Sequence, residues 1–138
     1  MGRTLEEWIE RYNKKNDEPF ARDIRYELAF NPDKGFCEFG QTESMIVIRG
    51  LCGDGKYFKE RAEKMARAVG FSMCGAYCTR REIKAYIRLF GYVVEHTEET
   101  SDGLTRYICR HKDSNKQGRI SPAYKAGETP FYFVTWEV

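Results

Sequence analysis

The stretch from Ser44 to Tyr92 constrains the fold of this chain more than any other. It opens with an apolar run, Met45 to Ile48, and passes into Arg49-Gly50-Leu51-Cys52-Gly53-Asp54-Gly55-Lys56. Phe58, Ala62, Met65, Ala66 and Val69 then fall on one face of a 3.6-residue period, so a helix is expected there, and Gly70 is well placed to cap it. A short apolar run at 71–76 precedes a second amphipathic stretch from Arg80 to Phe90. The pattern predicts strand, glycine turn, helix, strand, helix. The first N–H groups of a helix have no acceptor inside it, and the helix dipole is positive at that end. Glycines let a ligand approach the backbone closely. A phosphate-bearing ligand is therefore expected where the first strand hands over to the first helix.

The chain of 138 residues suits one domain with one core. Its 41% hydrophobic and 32% charged residues predict a soluble globular protein. No apolar run is long enough to span a membrane, and the N-terminus lacks an apolar signal core, so the expected location is the cytoplasm with no membrane partner. The five cysteines are odd in number, which argues against a disulfide framework. Cys74 and Cys78 are spaced as a metal pair could be, but neither His96 nor His111 stands at zinc-finger spacing from them. No metal is expected, and the thiols read as buried and reduced. Net charge is only +2, yet Lys56–Tyr92 holds nine basic side chains against three acidic ones. That unit carries a positive field that attracts anions.

Thr4-Leu5-Glu6-Glu7 has the form of a capping box, and Leu5, Trp8, Ile9 and Tyr12 follow at helical spacing, so a helix is expected over Leu5–Lys15. Residues 20–30 fit a strand or a helical face, with the strand favoured because the turn residues Asn31 to Gly35 follow. With the runs at 36–39 and 44–51 this makes an antiparallel meander. Thr79-Arg80-Arg81-Glu82 is a second capping box, and Ile83, Tyr86, Ile87 and Phe90 mark the next helix, ended by Gly91. Strands are expected at 92–95 and 104–110 around the turn Ser101-Asp102-Gly103, and at 131–136. Residues 111–130, with Gly118, Pro122, Gly127 and Pro130, read as polar and irregular.

Two ligand readings compete for the glycine turn. Gly50 to Lys56 fits G-x-x-x-x-G-K, the front of a P-loop, but Tyr57 stands where a magnesium-binding Ser or Thr belongs. The second reading rests on a likeness. Arg49 followed by Gly53-Asp54-Gly55 resembles the [Q/R]-x-x-G-x-[G/A] loop of the GNAT superfamily of N-acetyltransferases, with the basic residue one place early. The run Arg81 to Gly91-Tyr92 is similar to that family's helix ending in a Gly–aromatic pair. The likeness covers the middle 50 or so residues of the 138, and a short chain of this kind is also similar to GNAT-like proteins of bacteriophages.

The resemblance implies a single GNAT-like domain over 1–138 with its core at 44–110: an α+β fold, a mixed and mostly antiparallel sheet flanked by helices. It implies acetyl-CoA (coenzyme A) as the cofactor, held by Val47, Ile48, Arg49, Gly53, Asp54, Gly55, Lys56 and Tyr57 with Arg80 and Arg81, and an acetyl transfer to an amine acceptor. Many family members carry a tyrosine four residues before the helix-ending glycine, which protonates the departing thiolate. Here that place is Ile87, and Tyr86 stands one residue earlier, a rotation of roughly 100° on a helix. Tyr86 is the catalytic candidate, with core packing as its competing role. Glu38 and Glu43 are the carboxylates near the acceptor strands, each also readable as an ordinary turn or surface group. The alternative is a non-catalytic GNAT-fold module that binds a host protein or nucleic acid, favoured by the misplaced tyrosine.

Overall fold

The computed structural model describes residues 2–16, 18–79, 83–126 and 129–138. It is an α+β arrangement of three helices and one eight-stranded sheet, in the order α1 (Leu5–Lys15), β1 (Glu27–Asn31), β2 (Gly35–Gln41), β3 (Met45–Gly53), α2 (Gly55–Val69), β4 (Met73–Thr79), α3 (Ile83–Phe90), β5 (Tyr92–Glu99), β6 (Thr105–His111), β7 (Gln117–Ala126) and β8 (Thr129–Glu137). The strands lie in the order β1-β2-β3-β4-β8-β7-β6-β5. Among the described residues only β3 and β4 pair in parallel, and α2 is the crossover between them.

Helix α1 begins where the sequence expects it. Thr4 Oγ1 accepts the Glu7 N–H and the Glu7 carboxylate accepts the Thr4 N–H, completing the capping box. Trp8 is buried against Phe36 and Cys52, and its Nε1 donates to the Pro32 carbonyl at 3.0 Å, which fixes α1 over β1–β3. Helices α2 and α3 cover the opposite face. There Phe58, Ala62 and Ala66 meet Cys37, Phe39, Ile46, Ile48, Cys74, Ala76, Cys78, Tyr132, Val134 and Trp136. Glu63 locks α2 to β8, accepting from Trp136 Nε1 at 3.0 Å and Lys59 Nζ at 2.9 Å. Gly70 takes the left-handed conformation, φ 82°, at the end of α2, as its position in the sequence implies.

Four expectations need correction. The first strand is confined to Glu27–Asn31, and the preceding segment is irregular, with Ile24 almost wholly exposed. The run after α2 extends to Thr79 because β8 pairs with it over seven residues. The fifth strand runs on from Glu95 to Glu99, so the hairpin with β6 is longer than its apolar start at 92–95 implies. The polar stretch before the C-terminal strand holds β7, an interior strand between β8 and β6. Pro122 is tolerated there because the β6 ladder stops at Tyr107–Ile120, so its missing N–H faces no β6 partner, and the register shifts between Pro122 and Tyr124. Gly118 serves the fold in another way: a Cβ there would sit 2.5 Å from the Tyr92 ring. The capping box around Arg80, Arg81 and Glu82 lies outside the described residues.

Candidate functional site

Strands β3 and β4 run side by side only from Met45–Met73 to Ile48–Ala76. Past that point both continue, β3 paired with β2 and β4 paired with β8, but no longer with each other. The cause lies in β3. Arg49 pairs with Glu38 and Cys52 with Phe36, so Gly50 and Leu51 together oppose Cys37. This is a bulge, and Gly50 adopts φ 61°, as the first position of such a bulge requires. A bulge bends its strand and adds local twist, which turns the end of β3 away from β4.

The opening is a cleft of 520 Å³ lined by Tyr12 and Lys15 of α1 with Asn16 at its end, by Leu51, Cys52, Gly53 and Gly55 at the β3–α2 junction, and by Ala85, Tyr86, Arg88 and Leu89 of α3. It is continuous with a second hollow of 230 Å³ through Tyr12, Asn16, Leu51 and Tyr86, which line both. The second hollow adds Glu18, Ala21, Arg49, Tyr77, Tyr124 and Phe131. The space thus lies at the splayed ends of β3 and β4, between the C-terminal end of α1 and helix α3. Tyr86 stands where the two parts meet, half-buried, its ring edge-on to Phe90 at 5.5 Å.

The far mouth is held by a polar cluster. Glu38 is fully buried; its Oε2 accepts from Arg22 and from the Asp23 N–H at 3.0 Å, and its Oε1 lies 3.4 Å from Arg49 Nη1. Asp23 bridges Arg25 at 2.6 Å and Arg49 at 3.3 Å. Hydrogen bonds from the Arg25 side chain and backbone, with the charge of Arg49 behind them, hold the Asp23 carboxyl far below the usual carboxylate range.

The residues named from sequence divide between these places. Gly53 and Gly55 line the cleft and Tyr86 lines both halves. Gly53 has a further duty, since at φ 119° its Cβ would lie 2.1 Å from the Lys34 carbonyl oxygen. Gly55 is not among the glycines with positive φ, and a Cβ there would meet only Leu89, at 3.1 Å, so its small size keeps the cleft clear rather than relieving strain. Asp54 caps α2, its Oδ1 accepting the Tyr57 N–H at 3.1 Å. Lys56 is exposed at the first turn. Arg49 faces the far mouth, remote from the α2 N-terminus. Val47 and Ile48 are buried in β3, Ile48 in the core under α2. Tyr57 points towards Asn31 and Arg61, each 3.4 Å from its hydroxyl. Arg80 and Arg81 lie outside the described residues. Glu43 is exposed in the turn between β2 and β3, at the other end of β3 from the bulge.

The P-loop geometry does not form. Gly50 to Gly53 belong to β3, with Cys52 and Gly53 paired to Phe36 and Gly35, and the Asp54 N–H donates to the Lys34 carbonyl at 2.7 Å. The backbone is thus engaged where a phosphate cradle needs it open. Cys74 and Cys78 sit four residues apart on a strand, about 13 Å by strand rise, too far to share an ion. Burial pushes the Cys37 and Cys74 thiols up to about 12, as befits reduced core residues.

The sequence reading missed the far mouth. Tyr77, Tyr124, Phe131 and Phe133 come together there only through the β4–β8–β7 pairing, and no local pattern announces it. No helix among the described residues is long and apolar enough to cross a membrane. No protein-family model, curated protein or solved structure matches the chain.

Proposed function

We propose that the cleft binds an acyl-CoA, acetyl-CoA being the simplest, and that the chain transfers the acyl group to an amine in the manner of the GNAT superfamily. One observation carries this reading: a bulge in β3 parts two parallel strands, and two adjoining hollows open where they part, with Tyr86 lining both. Two reactants, one in each hollow, would meet at Tyr86, which supplies orientation.

The lining fits the group. Leu51, Ala85 and Leu89 offer apolar walls to a narrow chain, and Lys15, Arg88 and the exposed Lys56 place positive charge around the opening. The N–H groups of Gly55 and Lys56, in the first turn of α2, have no acceptor inside the helix and would meet a phosphate oxygen. Asp54 is the one feature set against it, because its carboxylate already occupies part of that turn. The bound thioester supplies an activated carbonyl. The amine nitrogen would form the new C–N bond as the C–S bond breaks, the thiolate would take a proton from the Tyr86 hydroxyl, and the proton shed by the nitrogen would pass to water, which returns one to the Tyr86 oxygen. Rotation of roughly 100° from the family's usual place does not remove Tyr86 from the cleft, since it borders both halves.

The test is calorimetric titration of coenzyme A and acetyl-CoA into wild type and Tyr86→Phe. Binding is expected to be equal in the two proteins, with kcat on any accepted amine falling roughly 10²- to 10⁴-fold in the variant. Equal turnover by both would remove Tyr86 from the chemistry. The self-capped α2 terminus favours a second reading, a binding module that uses the cleft for a partner and never turns over. Absence of coenzyme A binding by wild type would put that reading first.

A further inference from the structure

We infer that the acceptor side of the cleft is built for an aromatic amine, one whose nitrogen is carried directly on a planar ring. This rests on the acyl-transfer reading and deepens it. Two independent observations point the same way, the shape of the mouth and the state of its carboxylates.

Tyr77, Phe131 and Phe133 alternate along β4 and β8 with side chains buried beneath α2 and α3, so they stand on the opposite face of the sheet, the face on which α1 covers β2 and β3. On that face Tyr124 stacks on Phe131 at 5.0 Å with planes 5° apart, Tyr77 meets Tyr124 edge-on at 5.7 Å, and Phe133 lies 4.7 Å from Tyr77. Tyr124 is 51% exposed, so one side of the stack is open. The cluster borders the 230 Å³ hollow that contains Tyr86 and a neighbouring 280 Å³ hollow that adds Tyr26. Gly75 is part of the construction, since a Cβ there would stand 2.4 Å from the Phe133 ring. An open aromatic stack accepts a planar ring by offset or edge contact.

Asp23 and Glu38 at the mouth are committed to ion pairs. Asp23 is bound by Arg25 and Arg49, and Glu38 is buried beneath Arg22 and Arg49. The Asp23 carboxylate, gripped by two guanidinium groups, is held in its charged form and is a poor proton acceptor. Glu18 stands exposed at the rim. Neither histidine lines either hollow: His96 and His111 stand on β5 and β6. An alkyl ammonium, with a pKa near ~10.4, needs a base before it can attack. An amine attached to an aromatic ring is already neutral at pH 7 and needs none until the C–N bond has formed. Among the described residues the hollows thus offer an alkyl ammonium no histidine and, beyond these ion pairs, only the solvent-exposed Glu18, while they display the surface that aryl amines recognise.

The experiment uses two amines with the same ring, 4-toluidine and benzylamine, against the full chain. Binding is followed by saturation-transfer NMR without acetyl-CoA, and turnover by thiol release with it. The expected result is that 4-toluidine binds, that Tyr124→Ala weakens it roughly tenfold with an unchanged melting temperature, and that acetylation of 4-toluidine is flat from pH 6 to about 9 while benzylamine is slow at pH 7. Arylamine binding without turnover supports the site and counts against acyl transfer. Acetyl-CoA binding with no 4-toluidine signal, preferred acetylation of benzylamine at pH 7, or full 4-toluidine affinity in Tyr124→Ala each overturns the inference while leaving the cofactor reading in place.

Discussion

The Asp54 carboxylate accepts the Tyr57 N–H at 3.1 Å and stands 3.4 Å from Lys34 Nζ, so at the start of α2 it stabilises the helix and competes with any incoming anion. The backbone hydrogen bond from Tyr57, with Lys34 behind it, lowers the Asp54 pKa from 3.8. A folded pKa below the unfolded one gives stability that is present above pH 4 or so and is lost as pH falls through the folded value. Asp54→Ala is therefore expected to cost about 1 kcal/mol at pH 7 and less below the Asp54 pKa, read by urea unfolding at both pH values. Asp54→Asn keeps a cap of comparable quality and removes the charge. It should leave stability nearly unchanged and tighten coenzyme A binding about two- to fivefold at low salt. Weaker binding in Asp54→Asn would mean that the carboxylate orders the turn for its ligand rather than opposing it.

At the scale of elements, the bulge in β3 decides whether a cleft exists. Gly50 at φ 61° leaves no easy room for a side chain, and a Cβ would also lie 3.0 Å from the Phe20 ring. Gly50→Ala is expected to cost about 1–2 kcal/mol and to lower the melting temperature by several degrees. An unchanged melting curve would show that the bulge tolerates an ordinary residue. The sequence reads the glycines as one turn, whereas β3 runs on to Gly53 with Gly50 as a bulge inside it; the N-terminal helix, the two amphipathic helices and the meander were legible from periodicity and caps. What was not legible follows from long-range pairing. Strand β7 has Gly118 and Pro122 inside it and few apolar residues, because Gly118 yields to Tyr92 and Pro122 sits beyond the β6 ladder. Arg49 reads as a phosphate ligand beside a glycine loop, yet Glu38, from a neighbouring strand, pins it on the far side. The sequence places Gly53, Gly55 and Tyr86 near one another, and the fold brings all three to one cleft.

Across the whole molecule the sheet is unevenly supported. Strand β8 is paired with β4 over seven residues on one side and with β7 on the other, and Tyr132, Val134 and Trp136 are buried beneath α2 and α3. Strand β5 is an edge, exposed from Val93 to Glu99, and its acidic residues Glu95, Glu98 and Glu99 discourage pairing with a further strand. Local opening follows such differences in burial and pairing. Amide hydrogen exchange is expected to be slowest in β4 and β8, and faster in β5 by roughly 100-fold or more, the ratio for an opening free energy lower by about 3 kcal/mol. Acyl-CoA should slow exchange at Leu51–Tyr57 and along α3, which border the cleft, and leave the β5–β6 hairpin unchanged. Equal protection of β5 and β8 without ligand would mean that the β5 edge is covered in solution. Slowing confined to β5 and β6 on adding the ligand would move the binding site away from the splayed strands.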